Sequence, residues 1–369
     1  MKVILLSDSA SSHTLKWVRS LSASGIEICV FGLNSCPAEI YAALPNVRVV
    51  SLDLDTQVIR AGQGSYRKLR YFYALPALKR AIKDFQPDIV HAHYATSYGL
   101  LGALCGFRPY LLSVWGSDIF LFPTASLVHR WLIQFNLKCA DRLLAASQAL
   151  KRETGKYTDQ PVGVLPFGID LSVFRPKEVS PPFPEGAVVV GTVKTLEAVY
   201  GIDYLIRAFG KVRSKHPQLP LKLLIVGGGS QEAALKALVS ELGLDDCTVF
   251  TGFVAYDEVA NYHNRLSISV ALSNSESFGV AVIEASACEI PVVVSDVGGL
   301  PEVVENGVTG LVVPPKDVDA AATAIERLVL DADLRKTMGR AGRERVQRLY
   351  DWNANVAQMI DVYKGFLVE

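Results

Sequence analysis

The sequence lacks any apolar run long enough to cross a bilayer. The longest candidate, around residues 99–115, is cut by Arg108 and Pro109, well short of the ~20 residues that a spanning helix needs. Paired cysteines are also missing. Cys29, Cys36, Cys105, Cys139, Cys247 and Cys288 are scattered, with no CxxC pair and no His or Cys at metal spacing. Neither a disulfide framework nor a structural zinc site is therefore expected, and the thiols read as reduced and mostly buried. The apolar start, Met1-Lys2-Val3-Ile4-Leu5-Leu6, is too short for a secretory signal and reads as a first buried strand. A cytoplasmic location is the resulting expectation.

Net charge is absent too, with 37 basic against 37 acidic residues. Residues 1–170 carry 18 Lys and Arg against 12 Asp and Glu, and residues 171–369 carry 19 against 25. Neither half has the basic excess that supplies nucleic-acid affinity through counterion release, so no nucleic-acid partner is expected. Low-complexity tracts and short-period repeats are missing as well.

What is present is a chain of 369 residues, half of them hydrophobic and a fifth charged, enough for two well-packed domains. Short β-branched runs alternate with segments of helical period almost from end to end, the pattern of a parallel sheet covered by helices. Strands are predicted at residues 2–6, 26–31, 47–52, 89–92, 110–114, 143–146 and 162–165. After these come 188–193, 221–226, 249–251, 268–271, 292–295 and 311–313. Between the two sets, PKEVSPPFPEG at 176–186 carries four prolines, which neither continue a helix nor join a central strand. The expected organisation is an α/β chain of two Rossmann-like doubly wound domains, 1–175 and 187–351, joined by a linker at 176–186. Residues 352–369 form a terminal helix returning to the first domain.

In an open parallel sheet, ligands bind beyond the carboxyl ends of the strands, where loops and helix N-termini present free amides. After the strand at 221–226 comes Gly227-Gly228-Gly229-Ser230, which lets backbone approach an anion closely or simply makes a tight turn. It is not a dinucleotide fingerprint, because GxGxxG needs glycine where Glu232 stands. After the strand at 268–271 comes Ser273-Asn274-Ser275-Glu276-Ser277-Phe278-Gly279-Val280-Ala281-Val282-Ile283-Glu284. A helix starting near Phe278 puts Glu276 in the preceding loop and Glu284 two turns in. Carboxylates there suit a ligand rich in hydroxyls, and the amides of Ser277, Phe278, Gly279 and Val280 suit sugar or phosphate oxygens. Spacing alone equally fits two carboxylates that only stabilise the helix end.

Residues 161–315 resemble the retaining glycosyltransferases of family four, the group 1 glycosyltransferases with the GT-B arrangement of two facing Rossmann-like domains and a cleft between them. The matching pieces are Pro166-Phe167-Gly168-Ile169-Asp170 with Phe174, Val190-Gly191-Thr192-Val193-Lys194, Ile225-Val226-Gly227-Gly228-Gly229, Thr251-Gly252-Phe253-Val254, ESFGVAVIEA at 276–285, Pro291-Val292-Val293, Val297-Gly298-Gly299-Leu300-Pro301-Glu302 and Gly307-Val308-Thr309-Gly310-Leu311-Val312. The first half matches more loosely, through Asp88-Ile89-Val90-His91-Ala92-His93 and Ser113-Val114-Trp115-Gly116-Ser117-Asp118.

The resemblance implies that Glu284 grips the ribose of a nucleotide-sugar donor, that Glu276 lies near the donor sugar, and that Lys194 meets the diphosphate. Backbone around Gly252 to Val254 would read the base. It further implies retention of anomeric configuration and no divalent metal or other cofactor. Two departures stand out. Val199 occupies the place where many relatives carry a second basic residue, and Trp115 stands where many carry a His. These departures keep two other readings open, a nucleotide-sugar-binding protein without transfer and, more remotely, a nucleotide-sugar epimerase.

On the first domain, His13 and Ser12 after the first strand, His93 near the end of its strand, and Asp118 are acceptor-side or catalytic candidates. Each has a structural alternative: a solvated loop histidine, a satisfied buried histidine, a cap. Residues 60–83 hold seven basic side chains and no acidic one, interleaved with Tyr66, Tyr71, Phe72 and Tyr73. That composition fits either a solvated helix face or contact with an anionic membrane surface. The second option goes with a lipid-linked hydroxyl acceptor, a role in cell-surface polysaccharide or glycolipid synthesis, and a peripheral position on the inner face of the plasma membrane.

Overall fold

A computed structural model describes residues 1–54, 73–180, 183, 184 and 186–367. Arg60, Arg67, Lys68 and Arg70 of the basic segment, with Tyr66, Tyr71 and Phe72, lie outside the described residues. The strands are β1 (Lys2–Leu6), β2 (Glu27–Gly32), β3 (Val47–Ser51), β4 (Ile89–His93), β5 (Tyr110–Val114), β6 (Arg142–Ala145), β7 (Val162–Val164), β8 (Val188–Val193), β9 (Leu221–Val226), β10 (Thr248–Phe250), β11 (Ile268–Ala271), β12 (Val292–Ser295) and β13 (Gly310–Val313). Every predicted strand is present, to within one residue at either end.

They form two all-parallel sheets, ordered β3-β2-β1-β4-β5-β6-β7 and β10-β9-β8-β11-β12-β13. Strands buried on both faces need apolar side chains throughout, which is why Ile4, Leu5, Val190, Leu224 and Val293 are inaccessible to solvent. In the second sheet, helices Ile202–Lys215 and Val318–Leu330 cover one face, where Leu205, Phe209, Ile325 and Leu328 join Val190, Leu223 and Val293 in a single core.

Each order reverses once, between β1 and β4 and between β8 and β11. At such a switch point the crossover helices of neighbouring strands lie on opposite faces, so a crevice opens at the strands' carboxyl ends. The first crevice collects the residues after Leu6 and at His93. The second collects those after Val193 and Ala271.

The chain divides into two compact units, Met1–Pro166 with Ala354–Glu369, and Phe167–Asn353. The division falls before the four-proline stretch rather than in it, because the intervening segment is anchored in the second unit. The Ile169 amide donates to the Tyr350 carbonyl at 2.7 Å, the Trp352 amide donates to the Ile169 carbonyl at 3.1 Å, and Phe174 is buried among Ile283, Ala287 and Val346. The last helix, Trp352–Lys364, begins in the second unit and ends in the first, where the Asn355 side-chain amide donates to the Pro166 carbonyl.

Candidate functional site

At the switch point of the second unit, Lys194 directly follows β8 and the loop after β11 carries Glu276. Their side chains meet, with Lys194 Nζ 2.7 Å from Glu276 Oε2. The pair is mostly enclosed, with side-chain exposures of 21% and 12%, so its attraction is screened less than that of a surface pair. The ammonium also lies 4.2 Å from the centre of the Tyr200 ring, a cation–π contact that holds it from a second side. An ammonium has three N–H groups. With one directed at Glu276, others remain for an incoming anion.

The Glu276 loop is shaped by backbone contact. The Gly299 amide donates to the Glu276 carbonyl at 3.0 Å, and a Cβ on Gly298, whose φ is +53°, would sit 1.8 Å from that carbonyl oxygen. Glycine is therefore required for the two loops to touch. Glu276 Oε1 in turn accepts from the Ser277 amide at 3.2 Å.

The helix starts at Val280, not at Phe278, with Gly279 as its N-cap at φ +107°. Phe278 is consequently a core side chain, packed against Phe167 and Tyr350 with ring centroids 5.8 and 5.5 Å away. Its contribution to a ligand is confined to its backbone. The amides of Phe278, Gly279 and Val280 take no backbone acceptor among the described residues. These are the unpaired donors of a helix N-terminus. Lys194, Tyr200, Glu276 and Gly279 line one recess there.

Glu284 lies in the second turn of the same helix and is buried. Its Oε2 is 3.5 Å from Nε2 of His263, a fully buried ring neither of whose nitrogens makes a hydrogen bond. Burial first, and then the charge of Glu284, push the Tyr256 phenol and the Cys288 thiol up to about 12. Tyr256 and Cys288 thus stay neutral near pH 7. His263 and Tyr200 were invisible as site residues in the sequence. His263 is 21 positions from Glu284 in a short helix, Val259–Asn264, and no local pattern links them.

The glycine run does two jobs. Cβ atoms on Gly227 and Gly229 would meet the carbonyls of Lys194 and Leu196 at 2.0 and 2.4 Å, and one on Gly228 would meet the Phe253 ring at 2.7 Å. Gly227 also pairs with Gly252 across an isolated bridge. The run therefore lets the Lys194 loop and the Thr251-Gly252-Phe253-Val254 loop close in from either side. Val254 is half-buried, while the Phe253 ring is exposed beside Gly228. Val199 is partly exposed, and its carbonyl accepts from the Asn274 amide at 2.7 Å.

In the first unit, His91 and His93 are both buried. His91 Nδ1 lies 2.8 Å from the Tyr363 hydroxyl and its Nε2 2.8 Å from the Ser113 hydroxyl. His93 Nδ1 lies 3.0 Å from the Ser7 hydroxyl, which is bonded to Thr14. Burial pushes His91 down to about 3, and burial, His91 and His13 push His93 well below the usual histidine range. Trp115 packs on His93 with centroids 4.1 Å apart, and the His13 ring lies edge-on to Trp115 at 6.1 Å. The indole that replaces the usual His therefore bridges two histidines. Ser12 and His13 are exposed at the start of helix Ser12–Ala23.

Of the two readings of Asp118, a cap or a substrate contact, its hydrogen bonds are those of a cap. Its two oxygens accept from the Ala95 and Gly116 amides, each at 2.7 Å, and it is buried. Burial pushes its carboxyl up while these amides pull it back. Asp118→Ala should cost about 2 kcal/mol of stability, from two buried amides left without an acceptor, read from urea unfolding. An unchanged midpoint would return the residue to the list of ligand contacts.

The sequence profile of the glycosyl transferases group 1 matches residues 174–345, and that described as glycosyl transferase 4-like matches residues 2–147. A D-inositol 3-phosphate glycosyltransferase from Kribbella flavida is 34% identical over 306 residues, covering 75% of this chain and 71% of its own. The chain belongs to the group 1 glycosyltransferases. Among solved structures, sucrose-phosphate synthase from Thermosynechococcus elongatus matches this glycosyltransferase with a TM-score of 0.83 and 24% identity, over 100% of this chain and 99% of its own. HepE from Anabaena, solved in complex with UDP, matches with a TM-score of 0.78 and 18% identity, over 99% and 100%. With the two parallel sheets, these likenesses give the glycosyltransferase the GT-B fold.

Proposed function

We propose that this glycosyltransferase moves a sugar from a nucleoside diphosphate donor to a hydroxyl acceptor with retention of anomeric configuration. The observation that carries the reading is the Lys194–Glu276 pair at the switch point of the second sheet, beside a helix start with free amides. HepE from Anabaena, a fold neighbour, was solved with UDP and with UDP-glucose. That supports the donor class without naming the base or sugar here.

Glu284 accepts two hydrogen bonds from the ribose hydroxyls, Glu276 and the helix amides orient the sugar, and Lys194 faces the diphosphate. As the bond from the anomeric carbon to the diphosphate oxygen breaks, negative charge grows on that oxygen. An ammonium and oriented amides stabilise it, so the reaction runs without a divalent metal or other cofactor. The acceptor oxygen bonds to the anomeric carbon on the face that the diphosphate leaves, and the acceptor proton passes to the departing phosphate oxygen. A product with inverted configuration would refute this route, and loss of turnover in EDTA would refute its independence of metal.

The donor assignment is tested by titration calorimetry of UDP, GDP, ADP and CDP into wild type and Glu284→Ala. One nucleotide should bind, and the variant should lose about 1.5 to 3 kcal/mol, the cost of a charge-assisted contact. Equal binding by both proteins would remove Glu284 from the ribose. A second reading, donor binding without transfer, is favoured by Val199 and Trp115 standing in place of a cation and a histidine. It expects nucleotide affinity with no product from any acceptor.

A further inference from the structure

The helix Leu127–Cys139 has two faces of opposite use. Ile133, Asn136 and Leu137 are buried, and the Asn136 side-chain amide donates to the Ala95 carbonyl at 2.8 Å, fixing that face to the first unit. On the other side Leu127, Val128 and Trp131 are 84%, 72% and 63% exposed, and Leu121, just before the helix, is 50% exposed. Leu127, Trp131 and Phe135 stand four residues apart, so they form one stripe, and Trp131 stacks on Phe135 with centroids 5.7 Å apart and planes 14° apart. Single exposed apolar residues are ordinary, but a contiguous group of this size marks a docking surface.

The charges around the stripe select its occupant. Between Ile119 and Ala140 there is no acidic residue, whereas Arg130 and Lys138 flank the stripe and are exposed. The helix Ser97–Cys105 packs against both this helix and Ala74–Phe85, so the three share a layer, and Ala74–Phe85 adds the exposed Lys79, Arg80 and Lys83 against one exposed acid, Asp84. Each of these helices returns the chain to the next parallel strand, so each starts at the carboxyl edge of the sheet. Tyr73, Leu121, Leu127 and Val128 therefore lie along the same edge as the acceptor-side candidates His13 and His93. A symmetric second copy would set this helix face, whose charges are all basic between Ile119 and Ala140, against itself, an unfavourable match. Leu and Trp exposed on a helix whose charged side chains are all basic fit the boundary between headgroups and acyl chains of an anionic bilayer.

We infer that the exposed Leu121–Leu127–Val128–Trp131 surface inserts into an anionic lipid bilayer and sets the glycosyltransferase at the membrane, where an amphiphilic acceptor would meet the edge of the first sheet. The inference rests on the transfer reading for its purpose only, because docking needs no turnover. None of the helices in the described residues is long and apolar enough to cross a membrane, so the contact lies in the interface plane.

Trp131 gives a direct probe, since the other three tryptophans, Trp17, Trp115 and Trp352, are buried at 4%, 9% and 7% exposure. Vesicles of phosphatidylcholine with phosphatidylglycerol should shift the emission to shorter wavelength and permit quenching by brominated acyl chains. Both signals should vanish in Trp131→Phe, which still sediments with the vesicles. The triple variant Leu127→Ser, Val128→Ser, Trp131→Ser should sediment about tenfold less, with unchanged nucleotide binding showing that the protein remains folded. Vesicles of phosphatidylcholine alone should bind far more weakly. Equal sedimentation by wild type and triple variant, or no emission change, would overturn the inference. So would a concentration-dependent dimer that the triple variant abolishes, which would assign the surface to a second copy. Failure of the nucleotide titration would instead count against the transfer reading and leave docking standing.

Discussion

Lys194→Ala should lower kcat by about 10²- to 10³-fold, the range seen when one preorganised group facing developing charge is removed, while donor affinity changes by less than tenfold. The asymmetry follows from where the ammonium stands. It is already bonded to Glu276 at 2.7 Å and rests on the Tyr200 ring, so in the proposed reaction it needs no reorganisation when the diphosphate departs. Its interaction strengthens as charge accumulates on the leaving oxygen, and groups that bind the transition state more tightly than the ground state act on kcat. The effect belongs at the upper end because Val199 leaves no second cation in the neighbouring place. Val199 is partly exposed, so Val199→Arg has solvent to extend into and should raise kcat severalfold. The comparison is made by single-turnover kinetics on wild type and the two variants. A Lys194→Ala enzyme with unchanged kcat and weakened donor binding would reduce Lys194 to a ground-state contact.

The strands were legible because a parallel strand buried on both faces has little choice but a short β-branched run, and thirteen such runs stand apart in the sequence. The strand order was not legible. Nothing in the alternation says that β8 lies between β9 and β11, and that adjacency brings Lys194 to a residue 82 positions away. Resemblance to a family supplied both residues; the sheet order supplies the reason they meet. Side-chain direction at turns was also hidden. Phe278 lies two residues before the helix, where no period governs orientation, and it turned into the core. Asp118 follows a strand as a ligand contact would, yet two amides from separate loops converge on it. The chain divides at Pro166/Phe167 and not at the four prolines of 176–186, because Ile169 and Phe174 tie the preceding stretch to the second unit. Leu127, Trp131 and Phe135 recur with the four-residue spacing that a core face also has, and only the structure shows Leu127 and Trp131 exposed and Phe135 half-buried.

Acid should destabilise the first unit well before its carboxylates are protonated. His91 and His93 are buried and neutral, and burial holds both far below the usual 6.5. In the unfolded chain they take up protons near pH 6.5, while the folded unit refuses them until His91 reaches about 3. Between those values the unfolded state binds more protons, so stability rises with pH and falls as pH drops. The contribution is fully present above about pH 7 and is lost from pH 6.5 downward. His91, held down to about 3, should alone account for about 2 kcal/mol lost between pH 7.5 and pH 5, and His93 adds to the loss in the same direction. Asp118 opposes the trend at the acid end, because its carboxyl is pushed up and takes a proton more readily folded than unfolded. The slope should therefore flatten toward pH 4. A double variant, His91→Gln with His93→Gln, keeps hydrogen-bonding groups near Ser113, Tyr363 and Ser7 but cannot titrate. It should be less stable at pH 7.5 yet nearly independent of pH between 6.5 and 5. Hydrogen exchange at the β4 amides, measured across that range, reads the unit locally and separates it from unfolding of residues 167–353. A wild-type protein whose β4 protection stays level from pH 7.5 to 5 would mean that the two rings gain protons without opening the fold, and the neutral Ser7–His93 and Ser113–His91–Tyr363 chains would lose their structural role.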